Sequence, residues 1–494
     1  MSWNKEKGFT VDEKSKLIFK GHEYDKRHID NRCEDIKNSI LGVMGKSELL
    51  TIGIYMHRTP DLIFSMMFCL NYGNTYVLLD EELPSKRLLY IIEDSSIDII
   101  ISDLDIDLEL RQQLQIPIVC LLNNKKSIYR EQKLKGPNHA LAYIAYTSGT
   151  TGVPKGVEIT RESLINFVDG MKQYFWFSSG ESMACLTACM FDIFFVESVM
   201  PLLIGMTVYL ADKSDSANPR KLSRFLIDNR IDNIQMTPSR MMMLLNDKKR
   251  EVTFQGVKRI MIGGEAFSSN LAKMIHSVTD SEIYNLYGPT EATIWATINK
   301  VEASEEFISV GLPMLNTDVF IIDGDREVEN DVKGEIYISG DGLAKGYHNK
   351  PEETQNRFRE IEIGGTVRRC YATGDIGKKT NDGNIYCYGR TDNQIKIRGY
   401  RIEPEEIEKK IVQIPKVMQA IVFHNEKLYI DMLVCLYVSG NKISDETFKS
   451  HLKVYLPEYM IPTRYIRCDN FPQNQNGKID RKHAIEISES EAWI

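Results

Sequence analysis

Over the first 200 residues, short apolar runs rich in β-branched side chains alternate with amphipathic stretches. LLTIGIYM (49–56), TYVLLD (75–80), IDIIISD (97–103) and PIVCLL (117–122) read as strands, whereas 60–72 and 84–94 carry apolar residues at helical spacing. This pattern predicts parallel strands covered by helices. It resumes in TVYLAD (207–212), IDNIQM (231–236), RIMIGG (259–264) and EIYNLYG (282–288), enough for a second such unit beside the first. From about Ile308 the texture changes to glycine-punctuated strands, SVGLP, DVFIID, GEIYISG and GNIYCYGR, which predict an antiparallel sheet or distorted β-barrel. A further change near Asp392 opens a small α+β unit, with helices at 404–413 and 444–455 and strands at 418–424 and 430–437. The expected fold class is α/β, with a large domain over residues 1–391 and a small one over 392–494.

At 494 residues the chain exceeds what one core supports, and 43% hydrophobic with 26% charged residues is the composition of a globular protein. Its 61 Lys+Arg against 69 Asp+Glu leave a net charge of −8, which argues against binding nucleic acid through a broad basic surface. The first 392 residues hold 46 basic and 55 acidic residues, so an anionic substrate must be held there by local groups. Nine scattered cysteines without a CxxC pair read as reduced core thiols of a cytoplasmic protein. The opening MSWNKEKGFTVDEK lacks the apolar core of a secretory signal. The most apolar long stretch, Met183 to Leu210, contains Asp192, Glu197 and Pro201. It reads as a buried segment with a functional carboxylate, not as a membrane span.

The run AYIAYTSGTTGVPKGVEIT, residues 142–160, carries an apolar strand into Thr147, Ser148, Gly149, Thr150, Thr151 and Gly152, followed by Lys155. Hydroxyls and glycine amides can close around phosphate oxygens while a lysine supplies the compensating charge. The Walker spacing G-x-x-x-x-G-K-S/T is absent, which disfavours a P-loop NTPase. The run resembles the phosphate loop of the adenylate-forming superfamily, which includes acyl-CoA synthetases, luciferases and nonribosomal peptide synthetase adenylation domains. Further matches follow in order: FDIFFVES (191–198), GGEAF (263–267), NLYGPTEATIWAT (285–297), GEIYISGDGLAKGYHN (334–349), YATGD (371–375), GRTDNQIKIRGYRIEPEEIE (389–408), LPEYMIP (456–462) and NGKIDRK (476–482). Together they cover nearly the entire chain.

The resemblance implies that a substrate carboxylate attacks the α-phosphate of ATP and expels pyrophosphate, so two anions must be brought together. In that scheme Lys478 is the mobile lysine that reaches both the carboxylate and the phosphate. Glu291 is the Mg2+ carboxylate, Thr290 contacts the α-phosphate, and Tyr287 stacks on adenine, with Asn285 and Gly288 in the same nucleotide-binding run. Gly264 and Glu265 lie in the segment whose backbone approaches adenine. Asp375 accepts hydrogen bonds from the ribose, with Arg390 nearby. Asp392 is the hinge of a mobile C-terminal domain, whose swing would turn Lys396 to Gly399 toward the active site for thioester formation.

Asp192 matches the aspartate that, in the peptide-synthetase branch, pairs with an amino acid's α-ammonium; a carboxylate in so apolar a stretch needs a partner charge. The remaining pocket positions are Ile193, Val196, Gln235, Met261, Gly263, Leu286, Ile294 and Trp295. Ile193, Met261, Leu286 and Trp295 leave little room beyond the α-carbon, and the set resembles a glycine pocket, with alanine or serine next. Gln235 could hydrogen-bond inside the wall or touch a polar substrate. The expected cofactors are ATP and Mg2+, with phosphopantetheine on the partner. Lys478 stands 16 residues from the end and no carrier attachment motif is seen, so the expected acceptor is a separate carrier protein in trans. Three competing readings are a D-alanine carrier-protein ligase, an acyl- or aryl-CoA ligase, which Asp192 disfavours, and a catalytically dead binding protein of the same fold, which intact Lys478, Glu291 and Asp375 disfavour.

Overall fold

The structure, a computed structural model, describes residues 8–45, 49–104, 108–121, 141–149, 152–247, 250–425, 432–473 and 479–491. The chain divides into two compact units. One comprises Met1–Glu81, Ile92–Ala145 and Gly156–Thr391; the other comprises Glu82–Ile91, Tyr146–Lys155 and Asp392–Ile494.

The apolar runs of the first 120 residues form the middle and one edge of a seven-stranded sheet. Its order is Gly346–Tyr347, Lys155–Thr160, Leu141–Thr147, Thr75–Leu79, Thr51–Tyr55, Ile99–Ser102, Ile118–Cys120. The last four are mutually parallel, as their two-sided burial requires. A nine-stranded sheet follows, in the order Leu312–Pro313, Thr297–Lys300, Glu282–Tyr287, Arg259–Gly263, Asn233–Met236, Ser182–Cys185, Thr207–Leu210, Lys16–Phe19, His22–Asp25. Its central strands alternate strictly between two cores. Ile234, Ile260, Ile262 and Ile283 pack with Leu222, Leu244 and Leu271 on one face. Met261, Tyr284 and Leu286 join Phe167, Phe194 and Trp295 on the other. The glycine-punctuated region forms a six-stranded antiparallel sheet in which Ile385–Arg390 pairs with the long strand Thr366–Lys379.

The apolar stretch Met183 to Leu210 is buried core, built from Ser182–Cys185, the short helices Ile193–Glu197 and Val199–Leu203, and Thr207–Leu210. Among the described residues no helix is long and apolar enough to cross a membrane. All nine cysteines are free, and burial pushes the Cys33, Cys185 and Cys189 thiols up to about 12, so they remain protonated.

The second unit contains a three-stranded sheet, Val417–Asn425, Met432–Ser439 and Arg464–Cys468, packed with the helices Pro404–Ile411 and Asp445–Lys453 around Ile407, Tyr437, Phe448 and Leu452. Ser444 caps the second helix by accepting from the Thr447 amide. Ahead of this core, Ile395–Ile397 and Tyr400–Ile402 form a tight hairpin. Its two central residues, Arg398 (φ 52°) and Gly399 (φ 82°), are both left-handed, the geometry that matches strand twist in two-residue turns.

Candidate functional site

Four predicted pocket residues share one sheet face because of strand register. Gln235 pairs with Met261 and Gly263 with Leu286 across neighbouring parallel strands. Since Met261 and Gly263 are two apart, all four side-chain positions lie on the same side. Carboxyl ends of parallel strands are where open α/β sheets bind ligands. A Cβ on Gly263 would stand 2.6 Å from Cη2 of Trp295 and 2.8 Å from the Leu286 carbonyl, so glycine lets the indole lie directly against the strand.

Trp295 is brought there by an unusual turn. Thr293 (φ 57°) and Ile294 (φ 73°) are both left-handed, a conformation β-branched residues rarely adopt. The turn is held by the Ala296 amide donating to the Tyr287 carbonyl at 2.8 Å and the Thr293 hydroxyl donating to the Gly342 carbonyl at 2.6 Å. A side chain on Gly288 would meet the Ile294 carbonyl at 2.5 Å, which explains that glycine. Ile294, Trp295 and Val196 are buried, and Ile193 is partly so.

Asp192 occupies the N-cap position of Ile193–Glu197 yet makes no side-chain cap bond. Its Oδ2 is buried and has no hydrogen-bond partner. Burial raises the carboxyl to about 6, partly opposed by a hydrogen bond with the Thr290 side chain and by the Ile193 amide; the nearby Glu291 raises it further. Asp192 thus presents a buried carboxylate oxygen that is left without a partner in an apolar wall.

Glu291 is completely buried and accepts a hydrogen bond from the Tyr347 hydroxyl at 2.8 Å. Asp375 lies opposite Arg390 in the antiparallel pair, and Arg390 donates to its Oδ1 at 2.9 Å. The Tyr287 hydroxyl donates to Oδ2 at 2.6 Å, so register and a long aromatic side chain together fix the carboxylate. Asn285 donates to the Ser309 carbonyl at 2.7 Å. Glu265 accepts from the Ser239 amide and hydroxyl at 3.0 and 2.5 Å, beside the left-handed Gly264 (φ 85°).

The glycine- and hydroxyl-rich loop belongs to the second unit. A Cβ on Gly149 would approach the Val153 carbonyl to 2.1 Å, and Gly152 (φ 89°) donates back to the Gly149 carbonyl at 3.0 Å, so both glycines are needed for the turn. The Thr147 hydroxyl is buried without a partner. The Ser148 hydroxyl donates to the Arg401 carbonyl at 2.7 Å, and the Gly149 amide to Oε2 of Glu406 at 3.2 Å. Lys155 is buried at the loop's end. In the same unit Asp392 accepts from the Gln394 amide at 3.3 Å, and Lys396 lies on the hairpin strand next to Gly399. Thr150, Thr151 and Lys478 lie outside the described residues.

Gln235 is resolved as part of the wall: its amide accepts from the Trp295 indole and donates to Glu197. The sequence gives Glu197, within FDIFFVES, no role of its own, and none to Tyr347 or Arg58. The signal at Glu197 was a carboxylate in an otherwise apolar helix. Arg58 donates to the carbonyls of Ala211 (2.8 Å), Cys185 (2.7 Å) and Thr187, tying the segment after Ser182–Cys185 to the next strand's end.

Comparison with known proteins identifies the family. Residues 12–348 match the AMP-binding enzyme family, and 406–478 match the AMP-binding enzyme C-terminal domain. The chain is 34% identical over 441 residues to a dimodular nonribosomal peptide synthase of Bacillus subtilis, covering 87% of this chain and 18% of that protein. It is 34% identical over 453 residues to bacitracin synthase 3 of Bacillus licheniformis, covering 89% of this chain and 7% of that protein. It thus spans less than a fifth of these relatives' length. A four-domain nonribosomal peptide synthetase solved with AMP and glycine matches with 31% identity and a TM-score of 0.67, over 94% of this chain and 34% of that one. An o-succinylbenzoate CoA synthetase from Bacillus subtilis shares the fold at TM-score 0.85 and 20% identity, over 96% of both chains. The chain belongs to the AMP-binding enzyme family and is an adenylate-forming ligase.

Proposed function

We propose that this ligase activates a small amino acid, glycine foremost, as the aminoacyl-adenylate and then transfers it to the phosphopantetheine thiol of a separate carrier protein. The observation that carries the reading is the buried, unpartnered Oδ2 of Asp192 beside a wall of bulky apolar side chains. A fatty or aryl acid offers that oxygen nothing; an α-ammonium offers a charge and three N–H donors. The peptide synthetases among its relatives, one of them solved with AMP and glycine, support the same substrate class.

In this reading Asp192 orients the ammonium, Trp295 and Met261 close the space beyond the α-carbon, and Asp375 holds the ribose. Thr147 to Gly152 and Lys155 receive the phosphates, and Lys478 stabilises the charge that develops between carboxylate and α-phosphate. The carboxylate of Glu291, a hard oxygen donor, fits Mg2+, and Thr290 contacts the α-phosphate. Among the described residues no group of three or more His, Cys, Asp or Glu could hold a metal. When bound, Mg2+ would neutralise phosphate charge.

Amino-acid-dependent pyrophosphate exchange over a panel of L- and D-amino acids tests the substrate. Glycine is expected to lead, with alanine lower by ~10- to 200-fold, the discrimination one methylene allows. Preference for a large or aromatic amino acid would overturn the pocket assignment, and activation of acids lacking an amine would favour a CoA ligase. For the hinge, Asp392→Pro fixes φ and is expected to leave adenylate formation within a few-fold while slowing transfer to a phosphopantetheinylated carrier by more than ~10-fold. Normal transfer in that variant would place the hinge elsewhere.

A further inference from the structure

Trp295, Gln235 and Glu197 form a buried polar chain. The Trp295 indole Nε1 donates to Oε1 of Gln235 at 3.1 Å, and Nε2 of Gln235 donates to Oε1 of Glu197 at 3.3 Å. Glu197 is anchored in turn by the Leu186 and Thr187 amides at 2.6 and 2.7 Å on Oε2 and by the Thr187 hydroxyl at 2.5 Å on Oε1. Glu197, Gln235 and Trp295 expose at most 3% of their surface.

The two ends of this chain leave Gln235 no choice of orientation. An indole N–H can only donate and an ionised carboxylate can only accept, so a flipped amide would face donor with donor and oxygen with oxygen. In a buried site each mismatch would leave a polar group unsatisfied. One amide orientation therefore fixes one position of the indole, and that indole lies against Gly263, where any Cβ would collide with it. Burial raises the Glu197 carboxyl above its usual range, opposed by the Thr187 hydroxyl, the Thr187 and Leu186 amides and, last, Arg58, which donates to the Thr187 carbonyl and so holds the segment whose amides anchor the carboxylate.

We infer that Glu197 is a positioning residue for substrate size: acting through Gln235, it locks Trp295 in the place that a substrate side chain would otherwise occupy. This rests on the proposal that Trp295 closes the amino-acid pocket. The residue types at the pocket surface then do not by themselves determine which amino acids are rejected. The same Trp295 without the Glu197–Gln235 support would have several rotamers and would yield space to alanine, serine and larger side chains.

Two variants and two readouts test it. In Gln235→Leu, which keeps the volume but removes both hydrogen bonds, and in Glu197→Gln, the ratio of kcat/KM for glycine to that for alanine is expected to fall by at least about tenfold, mainly through a lower KM for alanine. Independently of activity, Trp295's own near-ultraviolet circular dichroism, obtained by subtracting the matching Trp295→Phe background, is expected to weaken in both variants. Only four tryptophans are present, so that difference signal is resolvable. A uniform loss of activity for all amino acids with an unchanged ratio, or an unchanged Trp295 signal, would overturn the inference. If the wild-type protein prefers a large amino acid, the substrate reading fails, and the dichroism experiment still decides whether Glu197 positions the indole.

Discussion

Replacing Asp192 by Asn is expected to lower glycine-dependent pyrophosphate exchange by ~10²- to 4 × 10³-fold in kcat/KM, since removing one member of a buried charge pair costs ~3–5 kcal/mol. The side chain keeps its size and its Thr290 contact, so the fold should survive. The effect should fall on the KM for the amino acid and leave that for ATP nearly unchanged. A pH signature accompanies it. Burial raises the Asp192 carboxyl to about 6, above the usual carboxylate range. The ammonium needs the ionised form, so below about pH 6 the kcat/KM for the amino acid should fall about tenfold per unit, with a plateau just above. The Asn variant should lack this inflection. Retention of wild-type kcat/KM in Asp192→Asn, or an inflection that persists in it, would remove Asp192 from amine recognition.

The second large effect is expected at Lys478. Lys478→Ala should reduce adenylate formation by ~10²- to 10³-fold, the usual cost of losing one preorganised donor at a developing charge. Transfer from a chemically prepared aminoacyl-adenylate to the carrier should continue at a rate close to that of the wild type. The two half-reactions separate the roles: pyrophosphate exchange measures the first, single-turnover loading of the carrier the second. Equal loss in both would mean that the lysine does not withdraw between steps and that the domain-swing scheme is wrong.

Much of the fold was legible because its central strands are apolar on both faces, leaving little doubt about burial. Their ends were less so. IDIIISD shortens to Ile99–Ser102, and just ahead of it Asp98 accepts from the Thr51 amide of the neighbouring strand at 2.8 Å, a side-chain contact no local pattern announces. The 147–156 loop stands out in the sequence as a dense run of glycine, hydroxyl and charge. What the sequence could not reveal are relations set by tertiary contact. The Ser148 hydroxyl meets a carbonyl 253 residues away, and Gln235 finds Trp295 60 residues on. Glu197 belongs to the same class: its function depends on two amides and an amide side chain from other elements, so on sequence grounds it is only an acid in an apolar helix. The left-handed backbone at Ile294 was likewise invisible, since a β-branched residue is the last one periodicity would assign to that conformation.

That backbone has a consequence for how the protein can change. Non-glycine residues held left-handed carry on the order of 1–3 kcal/mol of strain each, and Thr293 and Ile294 are adjacent. Relieving that strain would stabilise the fold, yet on the proposed reading the same two residues deliver Trp295 to the amino-acid pocket. Selection for robustness alone would therefore erode selectivity, whereas selection for selectivity keeps the turn taut and the fold less stable than its core would allow. Variants recovered by thermal screening should cluster away from 293–295 wherever the chain has also been required to choose its substrate.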